Sequence, residues 1–302
     1  LYIKPTLGDR PLNQITPAEI QKLYAHLKKR GRVRKHKKYG HKLSDSMVHC
    51  IHTLLYGAMG AAEQFRLIPR NPVADVTAPK QKPPPKQILN DEQLDTFMAA
   101  IQADDIWHDF FYTELTTGLR LGEICGLRWE DFDAEHGVLN IQRTVHVEKG
   151  GVLTTGDTKT YAGTRKIVLP ASTVQCLRER KEAALTDWIF SNPLKPELPV
   201  NPRTAYSRLK ALLKSAGLPS IRFHDLRHTF STHALSSGVD AKTLSGILGH
   251  SRASFTLDTY THVTGDMQKR ASEVVGDFLT ELLGEELKPW QNAENGAAAA
   301  SA

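Results

Sequence analysis

Apolar residues recur at helical spacing along most of the chain and switch to alternation only near its middle. Thr16-Pro17-Ala18-Glu19 reads as a capping box with proline at the first helical position, opening a helix to about Lys29. Ser44 caps a second helix, in which Met47, Val48, Ile51, Leu54, Leu55, Ala58, Met59 and Ala62 share a face until Pro69 and Pro72 stop it. Residues 1–78 therefore read as a small helical domain. Residues 79–87 (PKQKPPPKQ) suit neither a helix nor a central strand and read as a stiff, extended linker. Asn90, with Gln93 three residues on, opens a second domain. Its helices are expected at 91–103, 105–117 (stopped by Gly118) and 121–127.

From Gly137 to Glu148 the side chains alternate, with Leu139, Ile141, Arg143 and Val145 on one face. Lys149-Gly150-Gly151 is a hairpin turn signal, and strands resume at 152–155 and 164–169. Helices return at 171–184, 202–216, 224–237, 240–248 and 254–263. Val274, Val275, Phe278, Leu279, Leu282 and Leu283 mark another within 266–284. The whole reads as a mainly helical α+β protein. An all-helical N-terminal domain precedes a mixed α/β domain (88–284) with a small antiparallel sheet, and 285–302 is a low-complexity tail.

Composition narrows the class. Forty per cent hydrophobic residues supply a real core, and no apolar stretch reaches the ~20 residues of a membrane span. The opening Leu1-Tyr2-Ile3-Lys4 lacks the apolar region of a signal peptide, and because it does not begin with Met a longer parent protein is expected. Cys50, Cys125 and Cys176 are odd in number and widely spaced, as in buried thiols of a reducing cytosol. Charge is segregated: up to Gln87 there are 17 Lys and Arg against 5 Asp and Glu, and beyond it 22 against 28. The basic excess centres on 28–42, with Lys28, Lys29, Arg30, Arg32, Arg34, Lys35, Lys37, Lys38 and Lys42. Such a run is either a solvated, partly disordered loop or a phosphate-neutralising surface. The helices enclosing it favour the surface.

The chemistry sits in four boxes: Thr117-Gly118-Leu119-Arg120-Leu121-Gly122-Glu123, His224-Asp225-Leu226-Arg227-His228, Leu248-Gly249-His250, and Tyr260-Thr261-His262. A phosphodiester gains negative charge on the way to its pentavalent transition state, so catalysis there is positioning plus electrostatic stabilisation. Arginine binds two phosphate oxygens at once, histidine exchanges protons near neutral pH, and tyrosine becomes a nucleophile beside a base in a cationic field. The ester it forms conserves the energy of the broken strand, so neither ATP, metal nor other cofactor is needed. Glu123, three residues after Arg120, is placed to hold that guanidinium. Two boxes also have plain structural readings: a surface helix at 224–228 and a capping arginine at Arg120. His224 and His228 also have the i, i+4 spacing of a metal pair, but Arg227 lies between them and no glutamate fills a general-base slot. His228 reads as a hydrogen-bonded core histidine.

In order and spacing, these boxes resemble the tyrosine recombinases, the phage and transposon integrases, over about Asn90 to Tyr260. The resemblance implies that Arg120 and Arg227 clamp the scissile phosphate. His224 and His250 assist, Tyr260 is the nucleophile, and a lysine in a β-turn protonates the leaving 5′ oxygen. Lys159 in Asp157-Thr158-Lys159-Thr160 is the best match for that lysine, with Lys149 and Lys166 as competitors. The His250–Tyr260 gap is one residue longer than the family pattern.

The implied function is site-specific cutting and rejoining of DNA through a 3′-phosphotyrosine, for integration and excision of a mobile element, most like the integrases of conjugative transposons. The alternatives are a type IB topoisomerase-like enzyme, a non-enzymatic DNA-binding protein and a metal-dependent nuclease using His224 and His228. The N-terminal core-binding domain and the catalytic domain would clamp duplex DNA at element ends and target sites. A homotetramer on paired sites, C-terminal helix exchange, an excisionase or bending partner, and a bacterial cytoplasmic, nucleoid-associated location belong to the same expectation. So do an upstream arm-binding domain and an inserted hairpin (142–156) that reaches DNA or a neighbouring subunit.

Overall fold

The computed structural model describes residues 1–37, 39–80, 87–157, 163–250 and 277. The chain forms two compact units, Leu1–Pro85 and Lys86–Ala302.

The first unit is helical. Helix α1 (Lys4–Leu7) and a 3-10 turn precede α2 (Pro17–Arg30) and α3 (Asp45–Gln64). The capping box at Thr16 closes in both directions: Thr16 Oγ1 accepts from the Glu19 N–H at 3.3 Å, and Glu19 Oε2 accepts from the Thr16 N–H at 3.0 Å. Ile20, Leu23, Tyr24 and Leu27 of α2 pack with Val48, Ile51, Leu55 and Met59 of α3 in one apolar cluster. The basic run between these helices is folded. The Arg32 N–H donates to the His41 carbonyl at 2.8 Å, and His36 and Gly40 exchange two backbone hydrogen bonds of 2.8 Å, with Gly40 at φ +59° closing the turn.

The second unit is mixed α and β. It opens with α4 (Asp91–Gln102), α5 (His108–Thr117) and α6 (Leu121–Cys125). Strands β1 (Phe132–Asp133), β2 (Val138–Ile141), β3 (Arg143–Val147), β4 (Leu153–Asp157) and β5 (Arg165–Val168) follow. Then come α7 (Ala171–Glu182), β6 (Ser191–Asn192), β7 (Lys195–Pro199), α8 (Pro202–Ser215), α9 (Phe223–Ser236) and α10 (Ala241–Leu248). The pairings are antiparallel: β1-β2-β5 in one sheet, and β3-β4 and β6-β7 as hairpins.

Three local readings of the sequence need correction. The alternating stretch 137–148 is two strands in different sheets. It breaks at Gln142, whose Nε2 donates to the buried carboxylate of Asp131 at 3.1 Å beside the Arg143 guanidinium on the same group. The helix expected from 105 begins at His108, because Asp104 Oδ1 accepts from the Trp107 N–H at 3.3 Å and holds 104–107 as a turn. The hairpin β6-β7 went unseen because Pro193, Pro196 and Pro199 mask its strand character.

Helix α9 departs most from an amphipathic surface helix. Phe223, Asp225, Leu226, Arg227, His228, Thr229, Ser231 and Leu235 are all buried. Thr229 Oγ1 accepts from the Leu89 N–H at 3.1 Å, tying α9 to the start of the unit. Such a helix must satisfy its polar side chains internally, and that requirement shapes the site.

Candidate active site

Arg227 lies at the centre, on the second turn of α9, and is 1 % exposed. Its Nη1 donates to the Gly118 carbonyl at 2.8 Å, and its Nη2 contacts the Leu248 carbonyl at 2.5 Å and His250 Nε2 at 3.0 Å. Among the described residues it has no carboxylate ion pair. Desolvation by burial, then the charge of Arg120, pulls its pKa down to about 10, so it remains a cation at neutral pH.

Gly118 makes the first of these contacts possible. It ends α5 in the left-handed conformation at φ +59°, and a Cβ there would stand 2.4 Å from the Phe230 ring. Gly118→Ala is expected to cost about 1–3 kcal/mol of stability, from left-handed strain and overpacking. It would also displace the carbonyl that Arg227 uses. Urea denaturation of the variant measures the loss, and a midpoint equal to wild type would contradict it.

Arg120 follows Gly118 by two residues and caps α6. Its side chain is 41 % exposed and pairs through Nη1 with Glu123 Oε1 at 2.6 Å, while its Nη2 reaches the Gly249 carbonyl at 3.2 Å. Glu123 is itself buried and also accepts from Arg165, at 2.9 Å on Oε2 and 3.2 Å on Oε1. Burial pushes the Glu123 carboxyl up, but hydrogen bonds and charge from Arg165 and Arg120 together hold it below its ordinary value.

The two histidines flank the arginines. Burial, then Arg227 and Arg120, pulls the His250 pKa down to about 4, and the same influences lower that of His224, although His224 leaves much of its surface open to solvent. Both are neutral at pH 7 without a ligand. An anion placed between the arginines would favour their protonation. His228 is buried, with its ring edge-on to His224 at a 4.6 Å centroid separation.

Glu114 and Arg165 were not singled out in the sequence. Glu114 lies on α5, fully buried, and neither carboxyl oxygen has a hydrogen-bond partner among the described residues. Desolvation raises its pKa well above the usual carboxylate range against the pull of Arg227. The folded protein therefore keeps a proton that the unfolded chain releases. That advantage is complete below the unfolded pKa near 4.5 and is lost as pH rises through the folded value. Glu114→Gln is expected to stabilise the protein relative to wild type, increasingly so from pH 5 to pH 8. Thermal melts across that range test this, and a variant that becomes less stable at pH 8 would show an ionised, paired carboxylate instead. Arg165 had one legible signal: the period of two places it on the same face of β5 as buried Ile167.

Lys149, at the tip of the β3-β4 hairpin, and Lys166, on β5, are exposed. Lys28, Lys29, Arg30, Arg34, Lys35, Lys37 and Lys42 are exposed, Arg32 is half-buried, and Lys28 Nζ pairs with Asp45 at 2.9 Å. Lys38, Lys159, Tyr260, the helix expected at 254–263 and, apart from Asp277, the one expected at 266–284 lie outside the described residues. The ligand atoms of His108, Asp109 and Cys176 lie within 4.8 Å of one another, but Arg180 pairs with Asp109 at 2.9 Å and brings a cation to that group.

The profile of the phage integrase family matches residues 87–266. The chain belongs to the phage integrase family. A tyrosine recombinase XerC-like protein of Caldanaerobacter subterraneus is 30 % identical over 213 residues, covering 64 % of this chain and 54 % of that protein. The transposase of transposon Tn916 from Enterococcus faecalis is 30 % identical over 203 residues, covering 60 % of this chain and 49 % of that protein. This integrase-family chain thus spans about half the length of these curated relatives. Its fold matches the Tn1549 transposon integrase, solved in complex with a circular intermediate DNA, at a TM-score of 0.73 and 24 % identity over 91 % of each chain.

Proposed function

We propose that the chain is a tyrosine-type site-specific recombinase that cuts and rejoins DNA for integration and excision of a mobile element. The observation that carries this reading is the buried guanidinium of Arg227. It faces Arg120 and two neutral histidines, with carbonyls and His250 as its hydrogen-bond partners. Burying an unpaired cation is costly, and an arriving phosphate offsets the cost while receiving preorganised donors.

In this reading the Tyr260 oxygen attacks the scissile phosphorus and the P–O5′ bond breaks. The tyrosine proton passes to a neighbouring base, and Lys159 gives a proton to the departing 5′ oxygen. The phosphodiester bond energy is retained in the 3′-phosphotyrosine, and a partner strand's 5′-hydroxyl reverses the step. Arg120 and Arg227 hold the non-bridging oxygens, with His224 and His250 donating beside them. Glu123 keeps Arg120 in place.

DNA at element ends and target sites is the proposed partner. Assembly as a homotetramer, with exchange of the C-terminal helix and an accessory excisionase or bending protein, belongs to the same reading, as does a bacterial cytoplasmic, nucleoid-associated location. The β3-β4 hairpin would extend the contact to DNA or to the next subunit. Residues 1–78 would supply the sequence-blind part of binding through 28–42. Each lost phosphate contact should flatten the log–log salt slope by roughly 0.9. Replacing Arg34, Lys35 and Lys37 together by alanine should therefore reduce the slope by nearly three. Fluorescence anisotropy at several salt concentrations measures it, and an unchanged slope would remove these residues from the interface.

The test of function uses a plasmid carrying both ends of the parent element. Purified protein should yield joined ends, detected by amplification across the junction. Relaxation of any supercoiled plasmid without joined ends would point instead to a topoisomerase.

A further inference from the structure

The C-terminal end of α10 has an unusual set of caps. Its last carbonyls lack helical partners and carry the negative end of the helix dipole. Three successive carbonyls there each meet a different arginine: Ile247 accepts from Arg165 Nε at 2.6 Å, Leu248 from Arg227 Nη2 at 2.5 Å, and Gly249 from Arg120 Nη2 at 3.2 Å. His250 follows directly. Two of these arginines are already placed at the phosphate. The third is not.

Arg165 is 7 % exposed in its side chain. Besides Ile247, it contacts both oxygens of Glu123 and the Gly163 carbonyl, the last at 3.0 Å. Four hydrogen bonds on five N–H groups leave little for a substrate, so Arg165 is built to hold protein.

What it holds decides the charge of the site. Glu123 is shared between two guanidinium groups, so Arg120, Glu123 and Arg165 together carry one net positive charge. Without Arg165, Glu123 would neutralise Arg120. Its contact to Ile247 ties the turn before His250, through one guanidinium, to Glu123.

We propose that Arg165 is a positioning residue for strand cleavage, keeping the Arg120 charge available to the phosphate and locking the 247–250 turn against Glu123. The assignment rests on the recombinase reading of the site. A guanidinium suits the role because its rigid fork meets a carboxylate with two arms and still reaches a carbonyl, which a lysine ammonium does not do.

The test is single-turnover formation of the covalent protein–DNA product on a nicked suicide duplex, with thermal stability measured in parallel. Arg165→Met should slow cleavage by about 10- to 100-fold, the order seen for supporting partners of reacting groups. Adding Glu123→Gln restores the single net charge, so E123Q/R165M should cleave several-fold faster than R165M. A purely structural role predicts the opposite, since the second lesion would add to the first. Arg165→Lys keeps the charge without the fork and should fall between wild type and R165M. It also provides the measurement if R165M does not fold, with about tenfold slowing expected.

Cleavage by R165M, or by R165K in its place, within threefold of wild type overturns the assignment alone. So does an E123Q/R165M variant slower than R165M. Absence of covalent product from the wild-type chain overturns the recombinase reading and this assignment with it.

Discussion

Arg227→Lys is expected to lower single-turnover strand cleavage by roughly 10²–10³, the usual cost of removing one preorganised donor from a developing oxyanion. The effect should be this large because three jobs converge on one planar group. Arg227 caps the Gly118 and Leu248 carbonyls and contacts His250 while facing the position assigned to the phosphate. A lysine ammonium offers one point charge and cannot span those carbonyls with the same geometry. Affinity for DNA should change far less than the rate, since most phosphate contacts are assigned to the basic first unit. Cleavage within threefold of wild type, with the variant folded, would remove Arg227 from the reaction.

The neighbourhood of Arg227 also shows how much of the site the sequence made legible. Glu123 at three residues from Arg120 predicted a carboxylate–guanidinium contact, and the structure has one at 2.6 Å. That contact is local, within one helical turn, so spacing alone specifies it. The meeting of Gly118, Arg227 and Leu248 spans over a hundred residues and follows from the packing of α5, α9 and α10, which no local pattern encodes. Arg165 and Glu114 were missed for the same reason. Each is polar, so a pattern of apolar positions passes over it, and its burial is set by elements distant in sequence.

The fold was read more fully than its details. The α+β class, the caps at Thr16, Ser44 and Asn90, and the β3-β4 hairpin follow from capping, periodicity and turn chemistry. The break at Gln142 was not readable, because the alternation continues through it and only the buried Asp131 carboxylate, contributed by a preceding turn, divides the strand in two. For helix α9 the spacing left a surface helix and a ligand-facing helix both open, and the structure buries most of its polar residues. Its polar residues are buried because Asp225 ties back to Arg222 at 2.7 Å, Thr229 to Leu89 and Arg227 to two carbonyls.

Tyr260→Phe carries the other large expectation: complete loss of covalent attachment to DNA. Phenylalanine lacks the oxygen that would form the phosphoester, and no second tyrosine follows Tyr260 in the chain. Binding should persist, because the phosphate donors and the basic first unit are untouched.

The most direct measurement mixes the protein with a suicide duplex, nicked near the cleavage position of the parent element's end, in EDTA, and runs the products on a denaturing gel beside the Tyr260→Phe variant. The account predicts a slowly migrating protein–DNA band with wild type in EDTA and none with the variant. A band that persists in Tyr260→Phe, or cleavage that appears only when divalent metal is supplied, would contradict it.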